Sequence, residues 1–185
     1  MSEDDIWKKA SGQYKLIYAD PPWRYNNTKT GRNGVSGVIN KYPTMSVDEI
    51  CELRVQDIAD KESVLFLWST TPLLPYGFQV MEAWGFKYKT AIYWHKMSNG
   101  MGNWFRGQVE VLLMGIRGRV KSFHCQRSNF FSTKPKKHSQ KPHEIYELLE
   151  SLELNPKIEL FARDHRQGWD TWGNECPTTV QTLIV

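Results

Sequence analysis

Val64-Leu65-Phe66-Leu67-Trp68 is an unbroken apolar run of strand length, bounded by Ser63 and by Ser69-Thr70. A strand with one wet face alternates; one with no polar position is buried on both faces, as in a parallel sheet covered by helices. Leu16–Ala19 is a second such run, and Lys157–Phe161 a third that carries one acid, Glu159. Helix signals lie between them. Ser46-Val47-Asp48-Glu49 is a capping box that opens a helix to about Ala59, with Ile50, Leu53 and Ile58 on one face. Thr71-Pro72 starts a helix that ends before Gly85, and Pro142 begins one over His143–Leu152. Lys15–Ala19, Phe86–Trp94 and Val109–Ile116 complete the set of strands. Strands alternating with helices predict an α/β fold, a three-layer α/β/α sandwich. Ligands of such sheets bind beyond the carboxyl ends of the strands. Asp20, Ser69-Thr70, His95-Lys96 and Arg163 all follow strand ends, so they should gather on one edge.

Asp20-Pro21-Pro22-Trp23 leaves the first of those strands. Two prolines fix φ at their own positions, remove two backbone donors and push the preceding residues away from helix. The product is a stiff tetrapeptide holding a carboxylate, carbonyls and an indole in fixed relation. A planar base with an exocyclic amine needs such a surface: acceptors for its N–H groups and an aromatic face.

Composition narrows the classes. With 185 residues and 40% apolar content the chain suits a single domain over residues 1–185 with one core. No apolar run is long enough for a membrane span, and Met1-Ser2-Glu3-Asp4-Asp5 is not a signal peptide, so a cytoplasmic protein is expected. Cys51, Cys125 and Cys176 are widely spaced and odd in number, which points to a reducing compartment rather than a disulfide scaffold. His124-Cys125 with His138 or His143 matches no zinc spacing, and no metal is expected. There is no GxGxxG loop of the dinucleotide enzymes.

Further blocks accompany the tetrapeptide: Tyr42-Pro43-Thr44-Met45-Ser46, His138-Ser139-Gln140-Lys141-Pro142-His143-Glu144-Ile145-Tyr146, Lys157–Arg163 and Trp169–Glu175. In this order they resemble the MT-A70 family of S-adenosylmethionine-dependent adenine-N6 methyltransferases, over a core of about residues 14–175. The resemblance implies a Rossmann-like methyltransferase fold in permuted order, amine-binding motif first and cofactor strand near the C terminus. It implies S-adenosyl-L-methionine as cofactor. Lys141 would pair with the methionine carboxylate; Glu159, Arg163 and His165 would surround the ribose and methionine portions; Asn174 and Glu175 would approach the sugar or adenine. Asp5 and Ile6 correspond to a cofactor-adenine contact upstream of the first strand. Ala162 stands where a glycine is often seen, and Arg166 where an asparagine is common.

The chemistry follows from the residues. Adenine N6 is a poor nucleophile because its lone pair is delocalised into the ring. Asp20 and a carbonyl of Pro21 or Pro22, each accepting one N6–H, would hold the nitrogen pyramidal and stabilise its growing positive charge. Trp23 or Tyr42 would stack the ring.

From Arg117 to Lys141 the chain carries Arg117, Arg119, Lys121, Arg127, Lys134, Lys136, Lys137 and Lys141 with no acid, interleaved with Phe123, Phe130 and Phe131. That mixture suits a surface that tracks phosphates and stacks bases. Arg24–Lys41, with Lys29 and Arg32 among glycines and asparagines, has the composition of a lid. The partner expected is nucleic acid, DNA ahead of RNA, with loops, a second copy or a second subunit supplying specificity. A non-catalytic nucleic-acid-binding relative is the competing reading; an intact Asp20-Pro21-Pro22-Trp23 argues against it.

Overall fold

The computed structural model describes residues 13–24, 43–100, 104–135, 141–173 and 175–176. Asp5, Ile6, Lys29, Arg32, Tyr42, Lys136, Lys137 and Asn174 therefore lie outside the described residues. Seven strands form one sheet: β1 (Tyr14–Ala19), β2 (Ala59–Thr70), β3 (Lys87–His95), β4 (Val109–Arg117), β5 (Phe130–Ser132), β6 (Lys157–Leu160) and β7 (Asp170–Trp172). Their order across the sheet is β5-β3-β4-β2-β1-β6-β7. Helices α1 (Val47–Cys51), α2 (Val55–Ile58), α3 (Leu74–Ala83) and α4 (His143–Glu150) cover it.

The apolar runs do what their lack of alternation requires. Ile17, Leu65, Leu67 and Ile158 point to one face, where they pack with Ile50, Val55, Ile58, Val80 and Met81. Leu16, Tyr18, Val64, Phe66 and Trp68 point to the other, against Ile145, Leu149 and Trp169. Two cores on the two faces of one sheet make the three layers. Gly115 lets α3 sit close on β4: a Cβ there would meet the Met81 sulfur at 2.7 Å.

The sheet is mixed rather than uniformly parallel. β1 runs parallel to both β2 and β6, but β4 is antiparallel to β2 and to β3. Two short strands, β5 and β7, were not among the predicted elements; each has three residues, too few to show a period. The predicted helix to Ala59 is broken into α1 and α2. In one continuous helix Val55 would be turned well away from Ile50, whereas the break lets both bury completely. Its start is as expected, with the Ser46 hydroxyl accepting from the Glu49 N–H and the Glu49 carboxylate accepting from the Ser46 N–H.

β6, near the end of the chain, is the immediate neighbour of β1, near its start, with Tyr18 opposite Glu159 and Ala19 opposite Leu160. Among the described residues no helix is long and apolar enough to cross a membrane, and no cluster of metal-ligating side chains occurs.

Candidate active site

Asp20 follows β1 directly, and its register places it beside the exit of β6. Its Oδ1 lies 2.9 Å from Lys141 Nζ, and Glu110 Oε2 lies 3.0 Å from the same ammonium. The other oxygen of Glu110 is 3.0 Å from Lys96 Nζ. The result is a chain of alternating charge, Asp20–Lys141–Glu110–Lys96, in which no side chain is more than 22% exposed. Lys141 Nζ also sits 5.1 Å above the Trp68 ring, a cation–π position. Burial would push the Lys141 ammonium down, but Asp20 and Glu110 outweigh it and hold its pKa above the ordinary value. For Glu110, burial would raise the carboxyl, but Lys141 and Lys96 bring it below the usual range.

Four elements converge to build this cluster. β1 and β3 deliver Asp20 and Lys96 from their carboxyl ends. β4 runs the other way, so its amino end brings Glu110 to the same edge, opposite Thr70 of β2. Lys141 arrives at the entrance to α4.

Beneath lies an aromatic wall. The Trp68 indole N–H donates to the Tyr18 hydroxyl at 2.7 Å, and the Tyr18 and Tyr146 rings meet edge-on at 5.3 Å. The Tyr146 hydroxyl donates to Glu159 Oε1 at 2.8 Å. Glu159 is 8% exposed. Its burial, opposed by the Tyr146 hydrogen bond and reinforced by the charge of Asp20, pushes its pKa up to about 7. Phe161, just beyond β6, adopts φ 63°. Next to it the Ala162 N–H bonds to the Trp172 carbonyl at 3.0 Å, and a Cβ on Gly173 would fall 2.4 Å from the Ala162 oxygen. Only glycine admits that approach of β7 to the loop.

The prolines are held as firmly. The Pro21 carbonyl accepts from the Trp23 N–H at 2.9 Å and the Pro22 carbonyl from the Met45 N–H at 2.8 Å. A carbonyl has two lone pairs, so each retains one. Trp23, read as a stacking surface, is 8% exposed and belongs to the core, with its indole N–H donating to the Trp68 carbonyl at 3.1 Å. It anchors the corner instead of presenting an open face, because the β1 exit turns it inward against β2.

Other expected residues do not join the cluster. His165 lines a cavity of about 360 Å³ with Pro156, Lys157, Gln167, Gly168, Trp169 and Asp170, at the amino ends of β6 and β7. Arg163 lies 3.7 Å from Glu175, both near the surface. Arg117 ends β4 on the opposite edge of the sheet, seven residues and therefore about 23 Å from Glu110. There its guanidinium donates to the Gln56 carbonyl at 2.5 Å, closing the end of α2. The basic stretch is thus not one patch: Arg117, Arg119 and Lys121 begin on the far side. Residues beyond β5 return to the Asp20 edge, since Ser132 pairs with His95; Lys134 follows there. Sequence reasoning missed Glu110, Trp68 and Tyr146 as site residues. For Glu110 a signal existed, an acid two positions into an apolar strand.

The MT-A70 family profile matches residues 14–175. The chain is 33% identical over 183 residues to a type II methyltransferase, M.MunI, from Mycoplasma, covering 89% of this chain and 78% of that protein. It is 29% identical over 175 residues to a putative N(6)-adenosine-methyltransferase MT-A70-like protein of Medicago truncatula. It is 28% identical over 176 residues to the human N(6)-adenosine-methyltransferase catalytic subunit METTL3. Each of these two alignments covers 89% of this chain but only 26% and 28% of the longer relative.

Proposed function

The chain belongs to the MT-A70 family, and on that premise we propose that it transfers a methyl group from S-adenosyl-L-methionine to the N6 amine of adenine in DNA. One observation carries this reading: Asp20 and Glu159, from opposite ends of the sequence, belong to adjacent parallel strands and stand two residues out of register, an even offset that puts both on the same face of the sheet. Neighbouring strands lie about 4.8 Å apart and two residues of rise add about 6.6 Å along them, so an acid for the amine and an acid for the donor stand about 8 Å apart on one face.

The residues fit the cofactor. Glu159 is a buried carboxylate with one oxygen committed to Tyr146 and no hydrogen bond to the other among the described residues, suited to accept from ribose hydroxyls. Lys141, at the entrance of α4, is a cation beside helix N–H groups, suited to a carboxylate. When bound, S-adenosylmethionine supplies an electrophilic methyl on a cationic sulfur.

Asp20 then accepts one N6–H, and the spare lone pair of a proline carbonyl accepts the other. Two acceptors on one nitrogen hold it pyramidal and stabilise the positive charge that develops as it attacks. Asp20 need not take a proton during attack; its contribution is electrostatic until the methylated ammonium sheds one. Positioning of this kind supplies about 7–11 kcal/mol in well-oriented reactions. Tyr42 is proposed as the stacking partner of the base; Asn174, Asp5 and Ile6 are proposed for the donor's adenosine. In duplex DNA the adenine must be flipped out, at a cost of a few kcal/mol.

The preference for DNA follows the type II methyltransferase, of whose length the chain spans 78%. RNA adenine is the second reading, favoured by the adenosine methyltransferases, of which it spans about a quarter. Nucleoside analysis of DNA and RNA from cells expressing the protein separates them. N6-methyladenine should appear in DNA, and Asp20→Ala should reduce it to background while S-adenosylhomocysteine binding persists. Undiminished methylation by Asp20→Ala rejects the role given to this corner. Methylation confined to RNA replaces the first reading with the second.

A further inference from the structure

The loop between β3 and β4 holds the two most exposed large apolar side chains described: Trp104 is 94% exposed and Phe105 89%. Its base is a closed stem. The Lys96 N–H bonds to the Gln108 carbonyl at 2.8 Å and the Gly100 N–H to the Gly107 carbonyl at 3.0 Å. The Gln108 side chain adds a bond to Asn99 Oδ1 at 2.6 Å and lies 3.3 Å from the His95 ring. Two rings kept in water on a braced stem are not a collapsed loop. They also have a fixed address. The stem leaves from His95 and re-enters at Val109, one residue before Glu110, so its root is the charge cluster that holds Asp20. Trp104 lies no farther than about 20 Å from Glu110 even at full extension, a distance of a few stacked nucleotides.

We propose that Trp104 and Phe105 form a base-stacking finger for the polynucleotide, gripping nucleotides that flank the target adenine. The inference rests on the reading that this chain acts on nucleic acid, and assigns the part of the surface that does the gripping. Charge selects the occupant. Residues 96–109 contain Lys96 and Arg106 and no Asp or Glu, and Lys134 follows β5 on the same edge. A second copy of this chain, at net +4, would bring the same basic loop against itself; a phosphate backbone complements it. The aromatic surface extends to the sheet edge, where the half-exposed Phe130 stacks on His95 with centroids 6.3 Å apart. Exposed rings among cations and without acids are the composition of single-strand platforms, where any base can stack.

The test titrates fluorescein-labelled mixed-sequence oligodeoxynucleotides, single-stranded and duplex, against wild type, Trp104→Ala/Phe105→Ala and Trp104→Phe/Phe105→Tyr. Calorimetry with S-adenosylhomocysteine runs in parallel. About tenfold weaker oligonucleotide binding is expected per ring lost, or about 100-fold for the double alanine variant. The ring-preserving variant should stay close to wild type, and S-adenosylhomocysteine affinity should be unchanged in both. Wild-type oligonucleotide affinity in the double alanine variant overturns the finger and leaves the methyltransferase reading standing. So does an equal loss in the ring-preserving variant. If wild type binds no oligonucleotide, the finger and the nucleic-acid reading fall together. If sedimentation finds a wild-type dimer that the alanine pair dissociates with binding intact, the rings serve self-association and the inference is overturned.

Discussion

Helix α4 carries an ion-pair cluster at each end, and the two are built on opposite principles. At its C-terminal end Arg166 grips Glu150 with two donors, at 2.5 and 3.0 Å, and the Trp169 indole N–H adds a third at 2.9 Å. The Arg166 guanidinium also lies 4.7 Å over the Tyr146 ring. Both oxygens of that carboxylate are satisfied by a planar fork, and nothing remains for a ligand. At its N-terminal end the Lys141 ammonium is shared between Asp20 and Glu110, each touching it through one oxygen. A point charge divided between two acids can be drawn off by a third anion; a bidentate fork cannot. The saturated cluster ties α4 to the loop before β7. The divided one leaves capacity unspent where the strands of the sheet end, which is where chemistry is expected.

That contrast is most exposed to failure at Lys141. Lys141→Met should weaken S-adenosylmethionine binding about 100-fold, since truncating one partner of a buried charge pair costs a few kcal/mol. Calorimetric titration measures it directly. An unchanged dissociation constant would mean that the ammonium serves Asp20 and Glu110 alone, and the distinction between the two ends of α4 would dissolve.

A second, smaller effect is set by pH. Glu159 titrates near 7 in the folded protein, above the ordinary carboxyl value of 4.5. Between those two values the folded chain holds a proton that the unfolded chain has released, so stability falls as pH rises from about 4.5 to about 7. Binding that requires the ionised carboxylate runs in the opposite direction. At pH 6 only about a tenth of the protein is ionised at Glu159, so cofactor affinity should rise about tenfold between pH 6 and pH 8. Glu159→Gln should bind weakly at both, without the slope. A flat wild-type profile would remove Glu159 from the donor site.

Much of this organisation could be read from residue order. The continuous apolar runs gave the buried strands and the two covered faces, and the rule that ligands bind beyond strand ends pointed to Asp20, Ser69-Thr70, His95-Lys96 and Arg163, of which Arg163 lies beside Glu175 outside the cluster. The same rule hid Glu110. β4 is antiparallel, so the edge meets its beginning, and periodicity within a strand carries no sign of its direction. Charge counting erred in a related way. Eight basic residues from Arg117 to Lys141 are contiguous in sequence, yet the segment starts on one edge of the sheet and finishes on the other. Only its later part can face the Asp20 cluster. Trp23 shows the limit for single motifs: the tetrapeptide fixes a corner, but which side of the corner is buried depends on β2, whose Trp68 carbonyl takes the indole N–H. β5 and β7 were illegible for want of length, since both are edge strands whose pairing is decided by neighbours.

The smallest predicted effect belongs to the saturated end of α4, and it is a stability effect without a functional one. The two Arg166 hydrogen bonds, with help from Trp169 and against a small cost of burial, hold the Glu150 carboxyl down at about 2. A depressed carboxyl stabilises the fold above its unfolded value, and that contribution fades as pH falls from about 4.5 toward 2. The side chain is 34% exposed, so solvent screening discounts the shift to about 1 kcal/mol at neutral pH. Glu150→Gln should therefore lower the urea unfolding free energy by about 1 kcal/mol at pH 7 and by almost nothing near pH 2. Its S-adenosylhomocysteine affinity should match wild type at both ends of the range from pH 6 to pH 8. If Glu150→Gln instead weakened cofactor binding while leaving the unfolding curve in place, the fork at Arg166 would belong to the site. The two ends of α4 would then differ in geometry but not in purpose.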